Sequence, residues 1–154
     1  MISIDDILIN IYKFSNNIDI KNLRLISKHH KLFFDKYLSY KFSVHFQFNT
    51  SADIIYKFIK TNMFKHYNLI MCDINENIAV SLSNCISLQL PASIDTNFLK
   101  YFQNVKHISL EFSKITDTDV HNLMQCKQLN LSECSYLSDF AINMLRENDI
   151  FILM

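Results

Sequence analysis

Lys127-Gln128-Leu129-Asn130-Leu131-Ser132-Glu133-Cys134, followed by Leu137-Ser138-Asp139, is the stretch that decides the fold of this 154-residue chain. Leu129 and Leu131 stand two apart, which is the period of a short strand that buries alternate side chains. Leu137, Ala141, Ile142 and Leu145 then fall at the offsets of one helix face. Ser138 supplies a favourable N-cap, since its hydroxyl can accept from an otherwise unpaired N–H of the first turn. Strand, short loop and helix follow one another in about twenty residues.

Working outward, the same unit recurs. Leu69-Ile70-Met71, Leu88-Gln89-Leu90 and Ile108-Ser109-Leu110 occupy the place of Leu129-Asn130-Leu131, so the strands are read as starting at 69, 88, 108 and 129. The second element keeps step. Ile74 leads to Ile78, Ala79 and Leu82; Ile94 to Phe98, Leu99 and Phe102; Ile115 to Val120 and Leu123. Asp95 is a good N-cap type, and Thr116 with Asp119 has the spacing of a capping box. An earlier unit is read from Val44, Phe46 and Phe48 as strand and Ala52 to Thr61 as helix. The final Asp149 to Met154 reads as one more strand with no helix after it, an apolar edge.

One strand and one helix cannot bury their shared apolar side alone, whereas stacked neighbours complete a continuous core. The expectation is therefore an α/β solenoid of parallel strands and helices over residues 41–154, clear from about residue 65. Residues lying between the buried strand positions would face outward from the sheet. The rung resembles a leucine-rich repeat, and the resemblance implies that such residues face a concave partner-binding surface; here they would be Ser87, Gln89, His107, Ser109, Glu111, Gln128, Asn130 and Ser132. They are polar and mostly small, with no aromatic anchor of the kind that dominates many interfaces.

The pattern leucine, x, leucine, two residues, cysteine in Leu129 to Cys134, with the Ile115-Thr116-Asp117 helix start of the preceding unit, resembles the cysteine-containing leucine-rich repeat. The resemblance covers about residues 65–154 and is best in the last two units. With a strand starting at 69, Cys72 falls out of phase with Cys134, and Pro91 interrupts the unit that begins at 88. Cys85 and Cys126 sit at helix ends, where the repeat wants a small buried residue.

Residues 1–40 have a different pattern. Ile4, Ile7, Leu8 and Ile11 have helical spacing, Ile20, Leu23 and Ile26 a second stripe, and Leu32 to Leu38 a third. A three-helix module of this size buries little surface and needs support from a neighbour. Asp6-Ile7-Leu8 with Ile11-Tyr12, and above all Leu23-Arg24-Leu25-Ile26-Ser27-Lys28, resemble an F-box, though Ile4 replaces the usual proline and His30 the usual tryptophan. The resemblance implies docking on a Skp-type adaptor through Ile7, Leu8, Ile11, Tyr12, Leu23 and Leu25. It also implies a substrate-recognition role in a cullin-type ubiquitin ligase, with the repeats holding the target protein. The alternative is a repeat scaffold or decoy with no ubiquitin role.

Composition bounds these readings. Fifteen basic residues balance fifteen acidic ones, which provides no electrostatic argument for nucleic acid or an anionic membrane as partner. No apolar run approaches the roughly 18–20 residues of a membrane span. The start lacks a secretory signal, so an intracellular protein, cytoplasmic or nuclear, is expected. The four cysteines form no C-x-x-C pair and read as reduced and buried. Glycine is absent, which excludes glycine-rich phosphate loops, and no H-E-x-x-H or G-x-S-x-G motif occurs. Lys28-His29-His30-Lys31 reads as a solvated face. No catalytic centre, metal, cofactor or small-molecule substrate is expected.

Overall fold

The structure is a computed structural model and describes residues 43–46, 50–61 and 64–154. The three-helix module expected over residues 1–40 lies outside the described residues.

Every strand has three residues, and the reason is visible in the burial pattern. β1 (Ser43–His45), β2 (His66–Asn68), β3 (Ser87–Gln89), β4 (His107–Ser109), β5 (Gln128–Asn130) and β6 (Phe151–Leu153) each turn the middle side chain inward. Val44, Tyr67, Leu88, Ile108 and Leu129 are buried at these centres, and Ile152 is half-buried. The strands form one all-parallel sheet in chain order, β1-β2-β3-β4-β5-β6. Register is constant, with Val44 opposite Tyr67, Tyr67 opposite Leu88, Leu88 opposite Ile108, Ile108 opposite Leu129 and Leu129 opposite Ile152. Sliding one strand by a residue would turn its apolar centre to solvent, so burial enforces this register.

Each crossover carries a helix: α1 (Ala52–Thr61), α2 (Glu76–Ser81), two 3-10 helices at Thr96–Phe102 and Asp117–Leu123, and α3 (Asp139–Glu147). Successive helices touch one another, making a second layer behind the sheet. The result is an α/β array of stacked strand–helix rungs, solenoid-like, with its core between the two layers. Three columns of buried side chains run through it. Phe64, Cys85, Val105 and Cys126 lie three residues before the strand centres, and Leu69, Leu90, Leu110 and Leu131 two residues after them. The helices contribute Ile55 and Ile59, then Ile78, Ala79 and Leu82, Leu99 and Phe102, Val120 and Leu123, and Ala141 and Leu145.

Two expectations change. The second strand is centred on Tyr67, two residues before the expected start at 69. Leu69 belongs to the next inward column, while Ile70 and Met71 are exposed. A buried tyrosine in a column of aliphatics hid the true centre. With the centre at 67, Cys72 stands five residues beyond it, as Ser113 stands beyond Ile108 and Cys134 beyond Leu129, so Cys72 is in phase. All three are buried, and the N–H of each closes a turn onto the preceding leucine carbonyl at 2.9 to 3.1 Å. In the Pro91 unit the path from Leu90 to the N-cap Asp95 is one residue shorter than from Leu69 to Asn75 or Leu110 to Thr116. Its turn closes from Ile94 N–H to the Pro91 carbonyl at 3.0 Å instead.

The second change concerns helix type. Thr96–Phe102 and Asp117–Leu123 are 3-10 rather than α. Their buried pairs, Leu99 with Phe102 and Val120 with Leu123, are spaced by three, the 3-10 period that brings side chains into line. α2 buries Ile78 and Ala79 with its C-cap Leu82, and α3 buries Ala141, Ile142 and Leu145, so each includes a spacing of four, from Ile78 to Leu82 and from Ala141 to Leu145. Asn, Asp and Thr fill much of the two 3-10 segments, and these are weak α formers.

The expected caps form. Asp95 accepts from Asn97 N–H at 3.0 Å, and Ser138 from Ala141 N–H at 3.2 Å. The Asp119 carboxylate accepts from the Thr116 N–H at 2.8 Å and from its hydroxyl at 2.9 Å. No helix among the described residues is long and apolar enough to cross a membrane.

Candidate functional site

Inward centres leave two outward positions on every strand, one on each side. Constant register turns these into two straight rows. The first is Ser43, His66, Ser87, His107, Gln128 and Phe151, and the second His45, Asn68, Gln89, Ser109, Asn130 and Leu153. Six of the eight expected face residues, Ser87, Gln89, His107, Ser109, Gln128 and Asn130, fall in these rows. Glu111 and Ser132 lie one step further, in the turns after β4 and β5. All eight are exposed or half-exposed.

Side chains on the face bond to one another along and across the rungs. Asn68 Nδ2 donates to Gln89 Oε1 at 2.5 Å, and its Oδ1 accepts from Ile70 N–H at 3.2 Å. Asn130 repeats the arrangement one end further along. Its Nδ2 donates to Glu111, and its Oδ1 accepts from Ser132 N–H at 3.1 Å and the Ser132 hydroxyl at 2.8 Å. Ser109 also donates to Glu111, at 3.4 Å. An asparagine after the buried strand residue therefore caps its own turn and reaches the neighbouring rung. This fixes the amide orientation of the ladder before any partner arrives. The hydroxyl, amide and imidazole groups exposed here supply both donors and acceptors.

A shallow depression of about 340 Å³ lies at the middle of the face, lined among others by His66, Ser87, His107, Gln128, Asn130 and Leu153. The sequence reading missed His66 and Asn68, because the second strand was centred too late. It also missed Phe151 and Leu153, which stand in register with Gln128 and Asn130. Phe151 is 61% exposed, so the face does carry an aromatic side chain, at its β6 end. The alternation Phe151-Ile152-Leu153 was the available signal, once Ile152 is taken as the centre.

Behind the face, bonds also tie one rung to the next. Cys134 Sγ donates to the Leu110 carbonyl at 3.0 Å and meets Ser113 Oγ at 3.5 Å, all three buried. Asp117 accepts from Ser138 N–H at 2.9 Å and from its hydroxyl at 2.6 Å. Those two bonds hold its carboxyl below the usual carboxylate range. Tyr101 donates to Glu76 in the preceding helix, which raises the phenol's pKa, because the bond favours the protonated form. Burial pushes the Cys85 and Cys126 thiols up to about 12 and raises that of Cys72 as well. All four cysteines are free and buried, which suits packing rather than nucleophilic use. Among the described residues, no three His, Cys, Asp or Glu side chains gather as a metal site would require. The residues expected to dock an adaptor, Ile7, Leu8, Ile11, Tyr12, Leu23 and Leu25, lie outside the described residues.

No protein-family model matches the chain, and neither a curated protein nor a solved structure matches it.

Proposed function

We propose that the chain is a non-enzymatic adaptor whose stacked rungs, repeats of the cysteine-containing leucine-rich type, hold a target protein on the outward sheet face. Residues 1–40 form an F-box-like module that docks on a Skp-type adaptor through Ile7, Leu8, Ile11, Tyr12, Leu23 and Leu25. The protein is then the substrate-recognition subunit of a cullin-type ubiquitin ligase. It makes no bonds itself and acts by raising the effective concentration of its target beside the transfer machinery.

The observation that carries the binding role is the pair of polar rows, held in constant register on six parallel strands and pre-oriented by their own hydrogen bonds. Preorganised groups cost less to order on association. The repeat type draws on the buried Cys72, Ser113 and Cys134 at one repeat position, and on the bond from Cys134 to the neighbouring rung. The adaptor role draws on the Leu23 to Lys28 resemblance.

The test is co-purification of the full chain with a recombinant Skp-type adaptor. Wild type is expected to retain the adaptor, and Leu8→Asp with Leu23→Asp to lose it. Equal retention by both, or by neither, removes the ligase reading. A second reading, a binding scaffold or decoy with no ubiquitin role, is favoured by the ladder itself, whose hydrogen bonds lie wholly within residues 68–132. Ubiquitin transfer to a captured target in a reconstituted ligase separates the two, because a scaffold or decoy supports none.

A further inference from the structure

Overall neutrality conceals a segregation of charge that the repeat makes systematic. Lys65, Lys106 and Lys127 occupy the same repeat position, two residues before the strand centres Tyr67, Ile108 and Leu129. Ile86 takes that place on the rung between the first two. Lys106 and Lys127 are exposed, and Lys65 is half-exposed, donating to the Asn84 carbonyl at 3.3 Å. Their carbonyls build the sheet. Lys65 accepts from Ile86 and Ser87, and Lys106 from Lys127 and Gln128, so the lysine backbones are as fixed as the strands. His66 and His107 follow directly and line the central depression.

At the opposite end of the strands, carboxylates recur instead. Asp73, Asp95, Asp117 and Asp139 stand just before or at the helix starts, one per rung. Those charges suit the positive ends of the helices. Lys65 reaches the turn that closes α2, whereas Lys106 and Lys127, at the strand entries, bond no helix terminus among the described residues. Glu111, the acidic residue of the face, is engaged by Asn130 and Ser109.

We propose that the outward face takes an acidic polypeptide segment, laid across the rungs with its carboxylates against the Lys65–Lys106–Lys127 column. This rests on the reading of the face as the partner-binding surface and deepens it to a chemical class. Adjacent rungs lie roughly 4.8 Å apart and side chains on one side of an extended chain repeat at about 6.7 Å. Lys106 and Lys127, one rung apart, and Lys65, two rungs away, thus bracket the spacing of alternate acidic residues, and flexible lysine stems absorb the difference. The carboxylate row at the far end repels the same segment and sets which edge it follows. Such a preference is salt-sensitive, because the lysines are solvent-facing.

The experiment measures fluorescence anisotropy of labelled peptides with the full-length protein. The probes are Glu-Ser, Gln-Ser and Lys-Ser repeats of about twelve residues, long enough to cross four rungs. An oligothymidylate and phosphatidylserine vesicles are added as separate probes. The expected result is that the Glu-Ser peptide binds best and loses affinity roughly tenfold or more in Lys106→Glu/Lys127→Glu, since reversal removes two attractions and adds two repulsions. Lys106→Gln/Lys127→Gln, which keeps the fold free of new charge, weakens it by a smaller factor. Ser109→Trp, which fills the face without altering charge, abolishes binding. Equal binding by the reversed variant, a Lys-Ser peptide bound as tightly, or oligothymidylate or vesicles bound more tightly than Glu-Ser would each overturn the proposal. If Ser109→Trp blocks peptides while lysine reversal changes nothing, only the acidic preference fails. If Ser109→Trp has no effect on any probe, the reading of the face itself fails.

Discussion

Leu110→Ala is the substitution that tests the stacked-rung core most directly. Leu110 is 0% exposed and sits in a column between Leu90 and Leu131, themselves 2% and 0% exposed. Its backbone is held on both sides. The Leu110 N–H donates to the Asn130 carbonyl at 2.8 Å, and its own carbonyl accepts the Cys134 thiol at 3.0 Å. Truncation removes three carbons, about 2.4 kcal/mol at roughly 0.8 kcal/mol each. The walls cannot close on the void without breaking ladder bonds, so a cavity term adds to this and brings the cost to about 3–4 kcal/mol. Ile152→Ala in β6 is the matched control. Ile152 is half-buried, and among the described residues β6 pairs only with β5, so about 1 kcal/mol is expected there. Urea unfolding followed by far-ultraviolet circular dichroism and tyrosine fluorescence reads both, the chain having no tryptophan. Equal denaturant slopes with a lower midpoint mark a change in stability alone. A Leu110→Ala cost below about 1 kcal/mol, or one no larger than that of Ile152→Ala, would refute a continuous core with laterally supported rungs.

Asp117 carries a pH signature: its folded pKa is depressed by the Ser138 bonds, so its contribution is present above the ordinary carboxylate pKa and is lost as pH falls through the lower folded value. The stability gap between wild type and Asp117→Asn should therefore narrow on acidification below the ordinary aspartate value of 3.8; a gap constant down to pH 2 contradicts the bond. For the buried thiols the sign is opposite. Cys85 and Cys126 are raised from 9.0 to about 12, so their protonated state favours folding below pH 9 and this advantage disappears as pH climbs towards 12. Ellman's reagent at pH 8 should accordingly label all four cysteines in urea and none on mixing with native protein, and fast native labelling would deny their burial. Glu133 adopts φ 62° without being glycine, a backbone region that costs non-glycine residues on the order of 1 kcal/mol. Glu133→Gly should be neutral or stabilising by up to about 1 kcal/mol and Glu133→Val destabilising, read as a rise and a fall in Tm; the reverse order would reject the left-handed turn.

Much of the architecture was legible because two periodicities ran in phase. Leu88, Ile108 and Leu129, expected as strand starts, lie within their strands as the buried centres, each strand beginning one residue earlier; Ala52 to Thr61 forms the expected helix, and the apolar run at Asp149 to Met154 contains β6. Where the reading slipped, a residue type concealed its role. Tyr67 is buried at 2% exposure in a column of aliphatics, so the strand was read from Leu69 and the outward residues His66 and Asn68 were lost with it. The 3-10 helices were missed because a spacing of three and a spacing of four share a face for one turn.

By itself, the sequence determined the rung: which side chains turn inward, where caps start the helices, and which residues remain outside. Alternation and helical offsets are local properties, so a single unit displays them. Only the tertiary structure decided how rungs align, and with it the two straight outward rows, the bond from Cys134 to Leu110 and the meeting of Asp117 with Ser138. Partners about twenty residues apart become neighbours only when stacking sets the register. Stacking is a consequence of burying every rung's apolar side at once, a property no single unit possesses.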